Sequence, residues 1–307
     1  MASLQLRPFA SGLGAAVGLT VRAVLRSPQT FAQLRSALVR HRLLLFEAPG
    51  KVSPAEQVEL GRLFGEVQVH PTTELLDDRH PEITWISNVS RETNEIAKKD
   101  AWEPSVLSWH TDSSHSARPS LFSLLFAVEV GEGAGGTQFV DTAASYAKLP
   151  PSLRSALLPR DAVHNLEYSR TVENTARSEA QQGYSYPPPS VHPIIRRHPE
   201  TGEPAVYLGA HAASVVGLGE EEGRALIDHV NESVTSGPEV KIHTHHWREG
   251  ELLIWDNRAL LHRAMPWDVD GVRRIMRRVV VLGDEERDRP RRWSEETESC
   301  RTLRDDA

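Results

Sequence analysis

Ser108-Trp109-His110-Thr111-Asp112 reads as a strand edge. The alternation of a strand sends His110 and Asp112 to one face and Thr111 to the other. A third ligand-type side chain, His262, stands 152 positions after His110 (262 − 110). Two imidazoles and one carboxylate are the donor set of a non-haem iron(II) facial triad, which leaves three coordination positions open. Such a site needs a fold that lays distant strands side by side. Alone, His-x-Asp is a common coincidence in a chain with 14 histidines, so the flanking sequence has to carry the rest.

Working outward, the chain alternates short apolar runs with turn signals. Leu13 to Val21 is mildly apolar, too short to span a membrane and without a cleavage-site pattern, so it reads as an N-terminal strand. Ser27-Pro28 and Ser53-Pro54 are helix starts, and Gly65 is a helix stop. Leu43-Leu44-Leu45-Phe46, Ile83 to Ile86, Leu121 to Val130, Thr137 to Val140, Leu252 to Trp255 and Ile275 to Leu282 have strand length. Thr142 is placed to cap a short helix, and Gly219 to Val234 has helical apolar spacing. Val191 to Arg197 and Ala205 to Leu208 flank a turn and read as a hairpin. Arg91 to Pro104 reads as a loop, and Tyr168 to Pro189, polar and aperiodic, as a mobile lid. There is no βαβ alternation and no internal repeat. The pattern predicts a mainly β fold with flanking helices, a β-sandwich or jelly roll, in a single domain over 1–284, followed by a charged tail over 285–307.

Composition bounds the function. The 307 residues are 39% hydrophobic, enough for a substantial core. A net charge of −7 argues against nucleic acid, which needs a basic face, but leaves room for a small anion held by one or two local cations. The single cysteine, Cys300, excludes an intrachain disulfide framework and fits a reducing cytoplasm. His243, His245 and His246 read as alternating exposed positions on a strand. His115, His164 and His211 read as capping or core histidines, and Lys98 and Lys99 as solubilising charges.

Several segments occur together in one order: Trp109-His110-Thr111-Asp112-Ser113-Ser114, Gly135-Gly136-Thr137-Gln138-Phe139, Trp255-Asp256-Asn257-Arg258 with His262, and Arg273-Arg274-Ile275-Met276-Arg277-Arg278. In this the chain resembles the TauD/TfdA family of iron(II)/2-oxoglutarate dioxygenases, from about Leu43 to Asp284. The resemblance implies a double-stranded β-helix (jelly roll). It makes His110, Asp112 and His262 the iron ligands, and Thr137 and Arg274 the pair that holds the far carboxylate of 2-oxoglutarate. A guanidinium fork beside a hydroxyl suits a buried carboxylate. Arg278, four residues on and on the same strand face as Arg274, matches the arginine that meets the anionic end of the primary substrate.

Ile86-Ser87-Asn88-Val89-Ser90, Asp112-Ser113-Ser114 and Leu208-Gly209-Ala210-His211-Ala212 resemble the 2,4-dichlorophenoxyacetate dioxygenase branch. His70, after Phe64-Gly65-Glu66, resembles the sulfonate-binding histidine of the taurine branch, although Thr73 replaces that branch's tyrosine and Val21-Arg22 the family's usual Asp-Leu. The implied activity is hydroxylation of a small, anionic, aryloxyalkanoate-like substrate with O₂ and 2-oxoglutarate, releasing succinate and CO₂. His70 and Ser114 are further candidates for substrate contact. The same chemistry on a sulfonate, an alkyl sulfate or a xanthine-like heterocycle stays open, as does a homo-oligomer. An inactive jelly-roll binding protein and a zinc hydrolase are the readings of other classes; the second leaves the Thr137/Arg274 pair without a purpose.

Overall fold

The computed structural model describes residues 4–47, 49–71, 73–96, 107–172, 186–237 and 239–294. In chain order the elements are β1 (Leu6–Pro8), β2 (Ala15–Val17), α1 (Val21–Leu25), α2 (Pro28–His41), β3 (Leu43–Phe46), α3 (Pro54–Phe64), β4 (Thr84–Ser87), β5 (Ser120–Val130), β6 (Thr137–Asp141), α4 (Thr142–Tyr146), α5 (Pro151–Leu157) and β7 (Asp161–His164). They continue with α6 (Leu166–Val172), β8 (Ser190–Pro193), β9 (Ile195–Arg197), β10 (Pro204–Val206), β11 (Ala212–Val215), α7 (Glu220–Thr235), β12 (Ile242–His245), β13 (Leu252–Asp256), β14 (Leu260–Ala264), β15 (Arg274–Leu282) and β16 (Arg291–Arg292).

The strands form a seven-stranded sheet, β1-β2-β3-β13-β5-β15-β4, and three three-stranded sheets, β12-β6-β14, β11-β7-β8 and β10-β9-β16. The architecture is mainly β with flanking helices. Strand alternation sorts the core. Leu44, Phe46, Leu252, Ile254, Val279 and Val281 leave one face of the large sheet and pack with Leu34, Leu38, Val58 and Leu60 of α2 and α3. Leu43, Leu45, Leu253, Trp255 and Met276 leave the other face and meet Phe139 and Leu260 of the β12-β6-β14 sheet. Val140 and Leu261, on the far side of that small sheet, pack with Ile227, Val230 and Val234 of α7. The metal-type residues lie in the middle layer, between the two sheets.

The helix starts behave as their residues dictate. Ser27 caps α2, and Ser53 with Glu56 closes a capping box on α3, which ends at Gly65. Several expectations need correction. The cap of α4 is Asp141, whose carboxylate accepts from Ala143 and Ala144 N–H at 3.0 and 2.9 Å; the Thr142 hydroxyl instead donates to Ala259 C=O. The start of the expected lid is helical, as α6, because Ser169 reaches His211 Nδ1 (2.9 Å) and Tyr168 OH accepts from Arg224 (2.8 Å). The remainder over 173–185, like most of the Arg91 to Pro104 loop with Lys98 and Lys99, lies outside the described residues. His243 and His245 point inward on β12 rather than to solvent: His243 stacks on Phe9 at 4.2 Å and buried His245 meets Trp247 edge-on at 4.6 Å. Packed structure also runs past Asp284, since β16 pairs with β9 and both Asp288 and Trp293 are buried. Residues 295–307 of the expected tail lie outside the described residues.

Candidate metal centre

His110 sits in a one-residue bridge rather than in a full strand. Its N–H donates to His262 C=O (3.0 Å) and its C=O accepts from His262 N–H (2.8 Å). His262 belongs to β14, a strand that the sequence pattern does not announce. Behind the bridge runs Gly209 at φ +108°; a Cβ there would lie 2.9 Å from Trp109 O and 3.1 Å from His110 Cα, so the close approach requires glycine. After Asp112 the chain leaves at Ser113, in the left-handed region at φ 56°.

One nitrogen or oxygen from each of His110, Asp112 and His262 falls within 4.8 Å of the others, and among the described residues no other metal-type group of three is formed. The imidazole centroids are 4.3 Å apart, and His262 Nε2 lies 3.8 Å from Asp112 Oδ1. His110 Nδ1 is 2.8 Å from Ser108 C=O. A carbonyl only accepts, so Nδ1 carries the proton and Nε2 keeps its lone pair. Burial lowers both imidazoles, His262 to about 3, with His110 also opposing charge on His262 and Arg278 opposing it on both rings. Burial alone would raise the Asp112 carboxyl; His262, Arg278, His110 and the Ser123 hydroxyl outweigh it and hold the group well below the usual carboxylate range. Two neutral imidazoles and an ionised carboxylate are the protonation states a divalent cation needs, so the donor set fits iron(II).

A buried polar network backs the carboxylate. Ser123 Oγ donates to Asp112 Oδ2 at 2.6 Å, Asn257 Nδ2 donates to Ser123 Oγ at 2.9 Å, and Trp255 Nε1 donates to Asn257 Oδ1 at 3.0 Å. Thr111 turns away from the site, as the alternation predicts, and donates to Asn257 C=O at 2.7 Å. On the open side, an Arg278 guanidinium nitrogen stands 3.3 Å from Asp112 Oδ1.

The other predicted residues fall into two groups. Arg274 and Thr137 are buried beside the site layer. The Arg274 guanidinium lies 5.9 Å from the Trp267 ring centroid and, among the described residues, has no carboxylate partner; burial lowers it to about 10. Thr137 Oγ1 accepts from Trp247 Nε1 at 2.9 Å. Ser114 is buried with its hydroxyl 3.0 Å from His164 Nδ1, and His70 lies half-buried in the segment after α3. His211 and His115 stay close: His211 meets His110 edge-on at 6.3 Å and His115 at 5.1 Å. Sequence reasoning alone misses Ser123, Trp247 and the Asn257 side chain as participants. Ser123 carries a signal, since it is a hydroxyl set between the apolar pairs Leu121-Phe122 and Leu124-Leu125 inside a strand.

Residues 5–280 match the taurine catabolism dioxygenase TauD, TfdA family, and the chain belongs to that family. It is thereby an iron(II)- and 2-oxoglutarate-dependent dioxygenase. It is 34% identical over 241 residues to the alpha-ketoglutarate-dependent 2,4-dichlorophenoxyacetate dioxygenase of Cupriavidus pinatubonensis, covering 76% of this chain and 82% of that protein. It is 28% identical over 289 residues to an alkylsulfatase of Acinetobacter baylyi, covering 92% and 86%. The crystal structure of AAD-2 in complex with Mn(II) and N-oxalylglycine superposes with a TM-score of 0.73 at 27% identity, covering 92% of this chain and 98% of that one. Among the described residues no helix is long and apolar enough to cross a membrane.

Proposed function

We propose that this chain hydroxylates a small, anionic, aryloxyalkanoate-like substrate on a double-stranded β-helix, consuming O₂ and 2-oxoglutarate and releasing succinate and CO₂. The observation that carries the substrate class is Arg278. Its partly exposed guanidinium stands 3.3 Å from the Asp112 carboxylate, a cation at the open side of the metal-type residues. The likeness to a 2,4-dichlorophenoxyacetate dioxygenase points the same way.

In this reading His110, Asp112 and His262 hold iron(II), which supplies the activation of O₂ toward a substrate C–H bond. Arg274 and Thr137 hold the far carboxylate of 2-oxoglutarate. Two facts support them. A buried guanidinium without an acidic partner is a site for an anion. The Thr137 oxygen already accepts from Trp247, so its own proton is left to donate to a carboxylate oxygen. Arg278 fixes the anionic end of the substrate and so places its C–H bond. Ser114, its hydroxyl engaged by His164, shapes the wall of the site, and His70 contributes from the segment after α3. The single cysteine supports the reducing cytoplasm as the place of work.

A second substrate reading, an alkyl sulfate, has its own support in the alkylsulfatase likeness, because the same guanidinium suits a sulfate. Succinate formation measured across aryloxyalkanoates, alkyl sulfates, sulfonates and xanthine separates the two. Arg278→Ala should raise KM for the preferred substrate by about ten- to a hundredfold, the loss of one charge-assisted pair. The same variant should bind the 2-oxoglutarate co-substrate almost as the native protein does. Arg274→Met should do the reverse. An unchanged substrate KM in Arg278→Ala would remove Arg278 from the substrate site.

A further inference from the structure

The donors and acceptors behind Asp112 can be aligned in only one way. Asn257 Oδ1 faces two groups that only donate, Trp255 Nε1 at 3.0 Å and the Asp112 backbone N–H at 3.3 Å. The orientation of the amide is therefore fixed, with the oxygen toward the tryptophan and Nδ2 toward Ser123. Nδ2 donates to Ser123 Oγ at 2.9 Å, and the single hydroxyl proton of Ser123 is left for Asp112 Oδ2 at 2.6 Å. Ser123 is 0% exposed, and Asn257 and Trp255 are each 1% exposed, so no solvent proton can reverse the chain.

We propose that Trp255, Asn257 and Ser123 form a relay of fixed polarity that selects which oxygen of Asp112 serves the metal. The relay caps Oδ2. It leaves Oδ1, 3.8 Å from His262 Nε2 and touched otherwise, among the described residues, only by the longer 3.3 Å contact of the partly exposed Arg278, as the single ligand atom. Asn257 also holds the residue between the two N-terminal ligands, since its backbone carbonyl accepts the Thr111 hydroxyl at 2.7 Å. Ser123 and Asn257 are thus positioning residues that act through Asp112. Their effect is to keep the carboxylate from swinging to two-oxygen binding, which would take one of the coordination positions that a facial triad keeps open.

This inference rests on the triad being the metal centre, and the test separates the two. Mn(II) is titrated into the metal-free full-length protein and the free ion is read by electron paramagnetic resonance. Co(II) reports coordination through its visible spectrum. The native protein should bind both ions and His110→Ala should not; a native protein that binds neither sinks the metal-centre reading itself. Ser123→Ala removes the cap on Oδ2 and leaves Asn257 Nδ2 without its acceptor. It should raise the Mn(II) Kd by about tenfold or more and shift the Co(II) spectrum, while the melting temperature of the metal-free protein falls only by the few degrees that one unpaired buried amide costs. Asn257→Asp keeps the shape but accepts the Ser123 proton and turns it away from Asp112, so it should reproduce the spectral shift. If that variant fails to fold, Ser123→Ala decides. A Ser123→Ala protein with a Kd within about twofold of native, or with an unshifted Co(II) spectrum, overturns the relay.

Discussion

Asp112 and Asp256 are both buried carboxylates, linked by Asn257, which follows Asp256 and accepts the Asp112 N–H at Oδ1, yet they are furnished in opposite ways. Asp256 receives Nε and Nη2, one edge of the Arg258 guanidinium, at 2.8 and 2.7 Å, the Arg258 backbone N–H at 2.9 Å and His198 Nε2 at 3.1 Å. Arg258 in turn reaches Glu200 at 2.7 Å and Asp288 at 3.2 Å. Asp112 has one serine hydroxyl, two neutral imidazoles and a guanidinium at 3.3 Å. The arginines divide likewise. Burial opposes charge on both, but Asp256 and Glu200 hold Arg258 above its ordinary value, whereas Arg274, lacking such a partner, falls to about 10. A saturated ion cluster holds the fold together; an open one is a place kept for something else.

Removing each carboxylate or its partner should therefore have opposite consequences. Asp112→Ala should abolish Mn(II) binding and take 2-oxoglutarate-dependent O₂ consumption to the detection limit, a loss of several orders of magnitude. The metal-free protein should lose less melting temperature than Arg258→Met does, because the change leaves behind one partly exposed guanidinium and one hydroxyl rather than a closed cluster of buried charges. A large drop in melting temperature would put Asp112 with the structural cluster instead. Arg258→Met strips Asp256 of its main partner. Breaking a buried pair costs about 3–5 kcal/mol, or roughly 5–8 °C in a domain of this size, which differential scanning calorimetry would read. A shift below about 2 °C, about one kcal/mol in such a domain, would show that the cluster is not a support.

The smallest effect is in pH. Burial lowers His164 to about 3 and His115, His192 and His243 to about 4, with nearby positive groups adding to it. In the unfolded chain these rings titrate near 6.5. Between about pH 6.5 and pH 4 the unfolded state binds more protons than the folded one, so stability rises with pH. It is complete above 6.5 and lost as the pH falls toward the folded values. Asp256 acts in the same sense but only below its unfolded value near 3.8, so it leaves this window to the histidines. The metal-free protein should melt several degrees lower at pH 5 than at pH 7. A flat profile would show that the rings are not held neutral.

Much of this is legible in the sequence, and the gaps have physical causes. His110-Thr111-Asp112 and the distant His262 can be picked out because metal ligation restricts residue type and spacing. The strand that carries His262 cannot, since Leu260-Leu261-His262-Arg263-Ala264 has neither alternation nor a turn signal on both flanks. The helix starts at Ser27 and Ser53 are legible because capping is local chemistry, although the expected cap of α4 falls one residue late, where Asp141 and Thr142 compete. His245 reads as exposed because alternation gives two faces but not which of them is covered; Trp247 and Glu251 decide that only after folding. Ser123 and Asn257 are 134 residues apart (257 − 123), and their hydrogen bond exists only once β5 and β13 are paired.

The reciprocal backbone bonds between His110 and His262 carry a consequence for biosynthesis. During translation the emerging polypeptide presents His110 and Asp112 long before His262 leaves the ribosome, and in the proposed site two donors alone would hold a ferrous ion weakly. The third arrives on β14, when the partner strand β6 is already made. Assembly of the redox-active site is thereby deferred until almost the whole chain is available to enclose it.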